Sequence, residues 1–169
     1  HGLCLDVVSG GELYTAMQSG FPMEKIYFHG NNKTWDELIM ALEAGVGCIV
    51  VDNAMECELL VKAAQRVGTT VRTLIRVNPG VEAHTHKYIV TAHLDSKFGI
   101  SISRMEDIRD MIQTLTSIPN IAFEGFHSHI GSQILDKDAY VAEIQTLMKF
   151  VDDMQKAYGI TSKALNLGG

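Results

Sequence analysis

Residues 48–68, Cys48-Ile-Val-Val-Asp-Asn-Ala-Met-Glu-Cys-Glu-Leu-Leu-Val-Lys-Ala-Ala-Gln-Arg-Val-Gly68, hold the repeating unit of the chain. The unbroken apolar run Cys48–Val51 reads as a short strand covered on both faces, because a strand wet on one face would alternate polar and apolar residues. Asn53 can accept an orphan N–H at a helix start, Glu56 can reach back to the cap, and Gly68 supplies a left-handed stop. The same unit occurs twice upstream. Leu3–Val8 precedes Ser9-Gly-Gly-Glu12 and a helix ending near Gly20, and Ile26–His29 precedes Thr34-Trp-Asp-Glu37 and a helix ending at Gly45. Buried strands alternating with helices specify an α/β fold with parallel strands and right-handed crossovers.

Val71–Val77 is a fourth strand, but the stretch from Asn78-Pro-Gly80 to Gly99 lacks clear periodicity before Ser103-Arg-Met-Glu106 caps another helix. Roughly twenty residues is long for a plain βα loop, and such excursions usually serve function. Ile121–Ile130 is the fifth strand, Ala139 to about Tyr158 the fifth helix, and Ala164–Leu167 the sixth strand. Repetition at this spacing fits a (β/α)8 barrel, which takes about 250 residues. The 169 residues here give a single domain that is a partial TIM barrel of about six strands. An open doubly wound sheet is the alternative, but no Gly-x-Gly-x-x-Gly follows the first strand.

Composition limits the function classes. A net charge of −6 and a pI near 5.6 leave no basic stripe for nucleic acid. No apolar run reaches the roughly 20 residues that span a bilayer, so no membrane partner is expected. Cys4, Cys48 and Cys57 form no CxxC pair and read as buried free thiols in a reducing cytoplasm. The first residues resemble neither a signal peptide nor a start, which leaves an upstream targeting segment open.

In a barrel, functional side chains sit at the C-terminal ends of strands, and these ends read Asp6, His29, Asp52, Arg76, His129 and Gly168-Gly169. Any one polar end is explained as a helix cap, but six together point to a site. The richest block is Phe126-His-Ser-His-Ile-Gly-Ser-Gln133. Alternation aims His127 and His129 the same way, and Gly131 lets the backbone turn and free N–H groups for an anion.

Six blocks, Asp6-Val-Val-Ser-Gly-Gly-Glu12, His29-Gly-Asn-Asn-Lys33, Arg76-Val-Asn-Pro-Gly80, Asp95-Ser-Lys-Phe-Gly99, His127-Ser-His-Ile-Gly-Ser-Gln133 and Asn166-Leu-Gly-Gly169, resemble the diaminopimelate decarboxylases in identity and order. These are alanine-racemase-like barrel enzymes, fold type III among those that use pyridoxal 5′-phosphate (PLP). The resemblance implies that His129 stacks on the cofactor ring, Ser132 contacts the phosphate, and the Gly168-Gly169 turn binds it through backbone amides. It places Asp6 and Arg76 on the cofactor face, with Arg76 near the phenolic oxygen, and it matches Glu12 to a shared acidic position that capping already explains.

The resemblance also implies gaps. The family's Schiff-base lysine lies on the first barrel strand in a Tyr-Ala-x-Lys setting that none of the nine lysines here has. Lys33 and Lys97 fall in matched blocks but in loops, where a solvated lysine is the ordinary reading. The expectation is therefore the middle of a barrel, without its first strand, its last strands or a C-terminal β domain. Such a segment alone should be inactive, while the whole enzyme, a cytoplasmic homodimer, converts the amino acid meso-2,6-diaminopimelate to L-lysine. Other basic amino-acid or polyamine decarboxylases share the fold. A metal-dependent barrel hydrolase is a rival because of His84-Thr-His86, His93, His127 and His129, though three of these fall in a loop and no carboxylate cluster accompanies them. A third reading is a structural fragment with core histidines and plain glycine turns.

Overall fold

The computed structural model describes residues 2–81 and 98–168. Within them a parallel sheet runs in the order β1 (Leu5–Val7), β2 (Ile26–Phe28), β3 (Cys48–Val51) and β4 (Val71–Asn78). A two-residue strand, β5 (Ile100–Ser101), pairs with the end of β4, and the main path continues through β6 (Ile121–His127) to β7 (Ala164–Asn166). The expected fifth and sixth strands are thus β6 and β7, and β5 is additional. Helices α1 (Gly10–Gln18), α2 (Trp35–Ala44), α3 (Ala54–Val67), α4 (Met105–Leu115) and α5 (Lys137–Tyr158) connect the strands. β1 and β7 are the two edges of this curled arc, a partial TIM barrel as expected.

Both faces of the sheet carry apolar side chains, for the reason seen in residues 48–51. Ile49, Val51, Ile75 and Phe126 face Leu38, Leu60, Ile108 and Leu147 of the helices in one continuous core. The alternate residues Cys48, Val50 and Leu74 form a smaller cluster with Tyr27 on the other face. That second layer is the inner filling of a barrel. Each fully buried Leu, Ile or Phe contributes about 1.5–3 kcal/mol, so the helix-facing layer carries most of the stability.

The three repeated caps form with small variations. Thr34 Oγ1 accepts from Glu37 N–H while Thr34 N–H donates to Glu37, a complete capping box. Glu37 also accepts from Gly10 N–H at 2.8 Å, which ties α1 to α2. Ser9 and Asn53 accept from Glu12 and Glu56 N–H, but these glutamates reach back one residue further, to the amides of Val8 and Asp52. Gly45 and Gly68 stop their helices in the left-handed region.

Four expectations need correction. The Ser103 cap does not form: α4 begins after Arg104 without a side-chain cap bond, and the Ser103 hydroxyl pairs with that of Ser101, brought close by β5. The first helix ends at Gln18 with Ser19 at the cap, so Gly20 follows the stop. The fifth helix starts at Lys137, two residues early, because Asp136 accepts from Asp138 N–H. Cys48 and Cys57 are buried free thiols, whereas Cys4 is exposed at the uncovered edge before β1.

β6 contains an irregularity that matters for the site. Thr73 pairs with Phe123 and Leu74 with Gly125, so Glu124 is an extra residue and the strand is bulged. Gly125 has φ +151°, and a Cβ there would overlap the Ala164 carbonyl of β7. Gly125→Ala should therefore lower the free energy of unfolding by about 2 kcal/mol or more. Urea denaturation checks this, and an unchanged midpoint would refute the close approach.

Candidate functional site

Strand alternation builds the site. Tyr27 and Leu74 belong to the inner layer, so His29 and Arg76, two residues further along their strands, share that face at the C-terminal end. The register then pairs Asp6 with Tyr27, Arg76 with His127, and His127 with Asn166. Asp6, His29, Arg76, His127, His129 and Gly168 line one cavity of about 470 Å³. This is within the usual range for small-molecule sites. Of the six expected strand ends, only Asp52 stands aside: it lies 3.7 Å from Arg76 and accepts from Gly99 N–H at 3.0 Å, anchoring the guanidinium from outside the cavity.

The imidazoles form a row. His29 Nε2 lies 3.4 Å from Asp6 Oδ1, an electrostatic contact in which the N–H is not well aimed. The His29 imidazole holds the Asp6 carboxyl below the usual carboxylate range. The His29 and His127 rings meet edge to face, centroids 4.7 Å apart. His127 is only 3% exposed, and burial, aided by the neighbouring His29 and Arg76, pushes its pKa down to about 3. It is a neutral imidazole whose Nδ1 is buried without a hydrogen-bond partner. His129 is half-buried; burial and then Arg76 lower its pKa too.

Arg76 is the cation of the cavity, stacked 5.0 Å from the Phe98 ring centroid. Its charge disfavours protonation of both nearby histidines, which leaves neutral rings beside a fixed positive charge. Ser132 comes within 3.5 Å of His129 Nε2, so the turn after β6 brings these two expected residues together. Gly168 has φ +72°, and a Cβ there would sit 2.7 Å from His129 Nδ1 and 2.9 Å from the Ser128 carbonyl. Its amide donates to Asn166 Oδ1 at 2.8 Å, so the glycine serves close approach to His129 rather than offering a free N–H. Gly169 lies outside the described residues, as do Lys97, His84, His86 and His93.

Lys33 departs most from its sequence reading. Instead of being solvated, it is buried, with Nζ 2.6 Å from Glu56 Oε1 and donating to the carbonyls of Gly30 and Val50 at 2.6 and 2.7 Å. Burial raises the Glu56 pKa, and the Lys33 cation opposes that rise. The pair clamps the loop after His29 onto the start of α3. No local pattern reveals it, because the partners come from separate βα units. Among the described residues no group of three His, Cys, Asp or Glu side chains is arranged to hold a metal ion, and no helix is long and apolar enough to cross a membrane.

A family model described as the pyridoxal binding domain of pyridoxal-dependent decarboxylases matches residues 1–169. The chain belongs to this family. It is 51% identical to the diaminopimelate decarboxylase of Bacillus subtilis over 168 residues, 99% of this chain and 38% of that protein. It is 46% identical to the enzyme of that name from Halalkalibacterium halodurans, over the same shares. Among solved structures, diaminopimelate decarboxylase from M. jannaschii in complex with L-lysine superposes with a TM-score of 0.84 at 38% identity. That match covers 97% of this chain and 37% of the other. The chain therefore spans about two fifths of the length of these relatives.

Two outcomes follow from the buried groups of this pyridoxal binding domain. Native His127 stays neutral down to about pH 3, whereas an unfolded histidine takes a proton below about pH 6.5. Between those values the unfolded state binds the extra proton, so stability rises with pH across the window and falls as the solution is acidified. His127→Gln should flatten that dependence, read from urea unfolding between about pH 6.5 and pH 4, and identical slopes would contradict it. Lys33→Met strands a buried carboxylate and should cost about 3–5 kcal/mol. Lys33→Met combined with Glu56→Leu should recover most of that loss in the same measurement.

Proposed function

We propose that this chain is the cofactor-binding part of an enzyme that decarboxylates meso-2,6-diaminopimelate to L-lysine and CO2, with a proton replacing the departing carboxylate. The observation that carries the reading is the convergence of Asp6, His29, Arg76, His127 and His129 on one cavity at the C-terminal ends of parallel strands. Identity of 51% to a diaminopimelate decarboxylase supports the choice of substrate over ornithine or arginine.

Pyridoxal phosphate fits this cavity on three counts. A half-buried imidazole, His129, offers a flat face, Arg76 offers a half-buried cation, and the glycine at 168 lets the two strand exits approach closely. When bound, the cofactor supplies a conjugated ring that accepts the electron pair freed as the carboxylate leaves. His129 would offer its flat face to the cofactor ring and Ser132 its hydroxyl to the phosphate, while Gly168 packs against His129 to close the turn. Arg76, backed by Asp52, would offer its positive charge to the phenolic oxygen of the bound ring. Asp6 lies against His29, whose ring packs edge to face on His127 in the wall beside the guanidinium.

We infer that the segment is one domain, the middle of a barrel, and that the reactive lysine belongs to the part of the enzyme beyond it. The whole enzyme works as a homodimer in the cytoplasm, and most of the 78–99 excursion lies outside the described residues. Purified full-length protein with pyridoxal phosphate should release CO2 from meso-diaminopimelate and discriminate against ornithine and arginine, while residues 1–169 alone release none. Robust turnover by the segment, or a preference for ornithine, would overturn the reading.

A further inference from the structure

Behind the cavity, on the helix side of β6, sits a carboxyl with no part in the roles above. Glu143 of α5 is fully buried, and neither carboxyl oxygen has a well-aligned hydrogen bond. It faces the hydroxyl of Ser128, which is equally buried and also lacks an aligned partner. Burial pushes the Glu143 carboxyl above the usual range, with Ser128 opposing, and this favours the protonated form that carries an O–H donor. Two buried polar groups placed against each other cost stability unless they satisfy one another.

Ser128 is the junction of the site. It sits between His127 and His129 and turns its side chain away from the cavity that they line. Its N–H donates to the Asn166 carbonyl at 2.8 Å, holding β6 to β7 one residue beyond the end of the β6 ladder. Its own carbonyl is the oxygen that a Cβ at Gly168 would strike. A shift of Ser128 therefore moves both histidines and the Gly168 turn together. We propose that Glu143 is a positioning residue for the cofactor site, a buried acid that grips the Ser128 hydroxyl from α5 and fixes the His127-Ser128-His129 segment against β7.

This inference rests on the cofactor reading above. Apo full-length protein and its Glu143→Gln, Glu143→Leu and Ser128→Ala variants are titrated with pyridoxal phosphate, and the dissociation constant is read from cofactor fluorescence, with circular dichroism as the check on folding. Glu143→Gln keeps a neutral donor of the same shape and should bind within about twofold of the unaltered protein. Glu143→Leu and Ser128→Ala should each weaken binding by about tenfold, the loss of roughly one buried hydrogen bond. The two changes combined should weaken it no further than either alone. If Glu143→Leu fails to fold, Ser128→Ala decides. Binding by Ser128→Ala within twofold of the unaltered protein, or additive losses in the double variant, overturns the proposal. Unaltered full-length protein that takes up no cofactor overturns both readings, whereas tight binding that the variants share overturns this one alone.

Discussion

The parallel pairing of β4 with β6 carries the site. Arg76 and His127 are partners in that register, so the guanidinium that sets the charge of the cavity and the imidazole that burial keeps neutral are held by backbone hydrogen bonds. The pairing requires the bulge at Glu124, because without that extra residue the last part of β6 would shift by one and turn His127 toward the helices. The bulge in turn requires glycine at 125, where β7 passes too close for a side chain. Register, bulge and glycine form one constraint, and the β7 exit turn with Gly168 is set by the same close approach.

Around that axis the site is polar on one side and locked on the other. Asp6, His29 and His127 form a row whose inner member is desolvated, while Arg76 is backed by Asp52, itself tied to Gly99. The Lys33–Glu56 pair fixes the loop that carries His29. A buried ion pair of this kind adds little net stability compared with apolar residues of the same volume. Its effect here is geometric: it links a loop beside the cavity to the start of a helix in the next βα unit.

Much of the fold was legible because its signals are local. A run such as Cys48–Val51, a cap such as Thr34 with Glu37, and a stop such as Gly45 each act within a few residues, and each formed. Alternation aimed His127 and His129 the same way, and the polar strand ends singled out His29 and Arg76, without knowledge of the tertiary fold. The failed cap at Ser103 marks the limit: its hydroxyl found Ser101, which β5 fixes through contact with β4.

The order of strands and helices and the polar residues at the strand ends were already contained in the chain, since these follow from backbone geometry and hydrogen bonds between near neighbours. The rest depends on contacts between separate βα units. Lys33 is buried because Glu56 and two carbonyls await it, and Cys4 is exposed beside β1, an edge strand among the described residues. The Gly168 amide is already taken by Asn166, and Glu143 lies against the junction of both cavity walls. A side chain's solvation and charge state depend on what lies across space from it, and chain order alone does not contain that information.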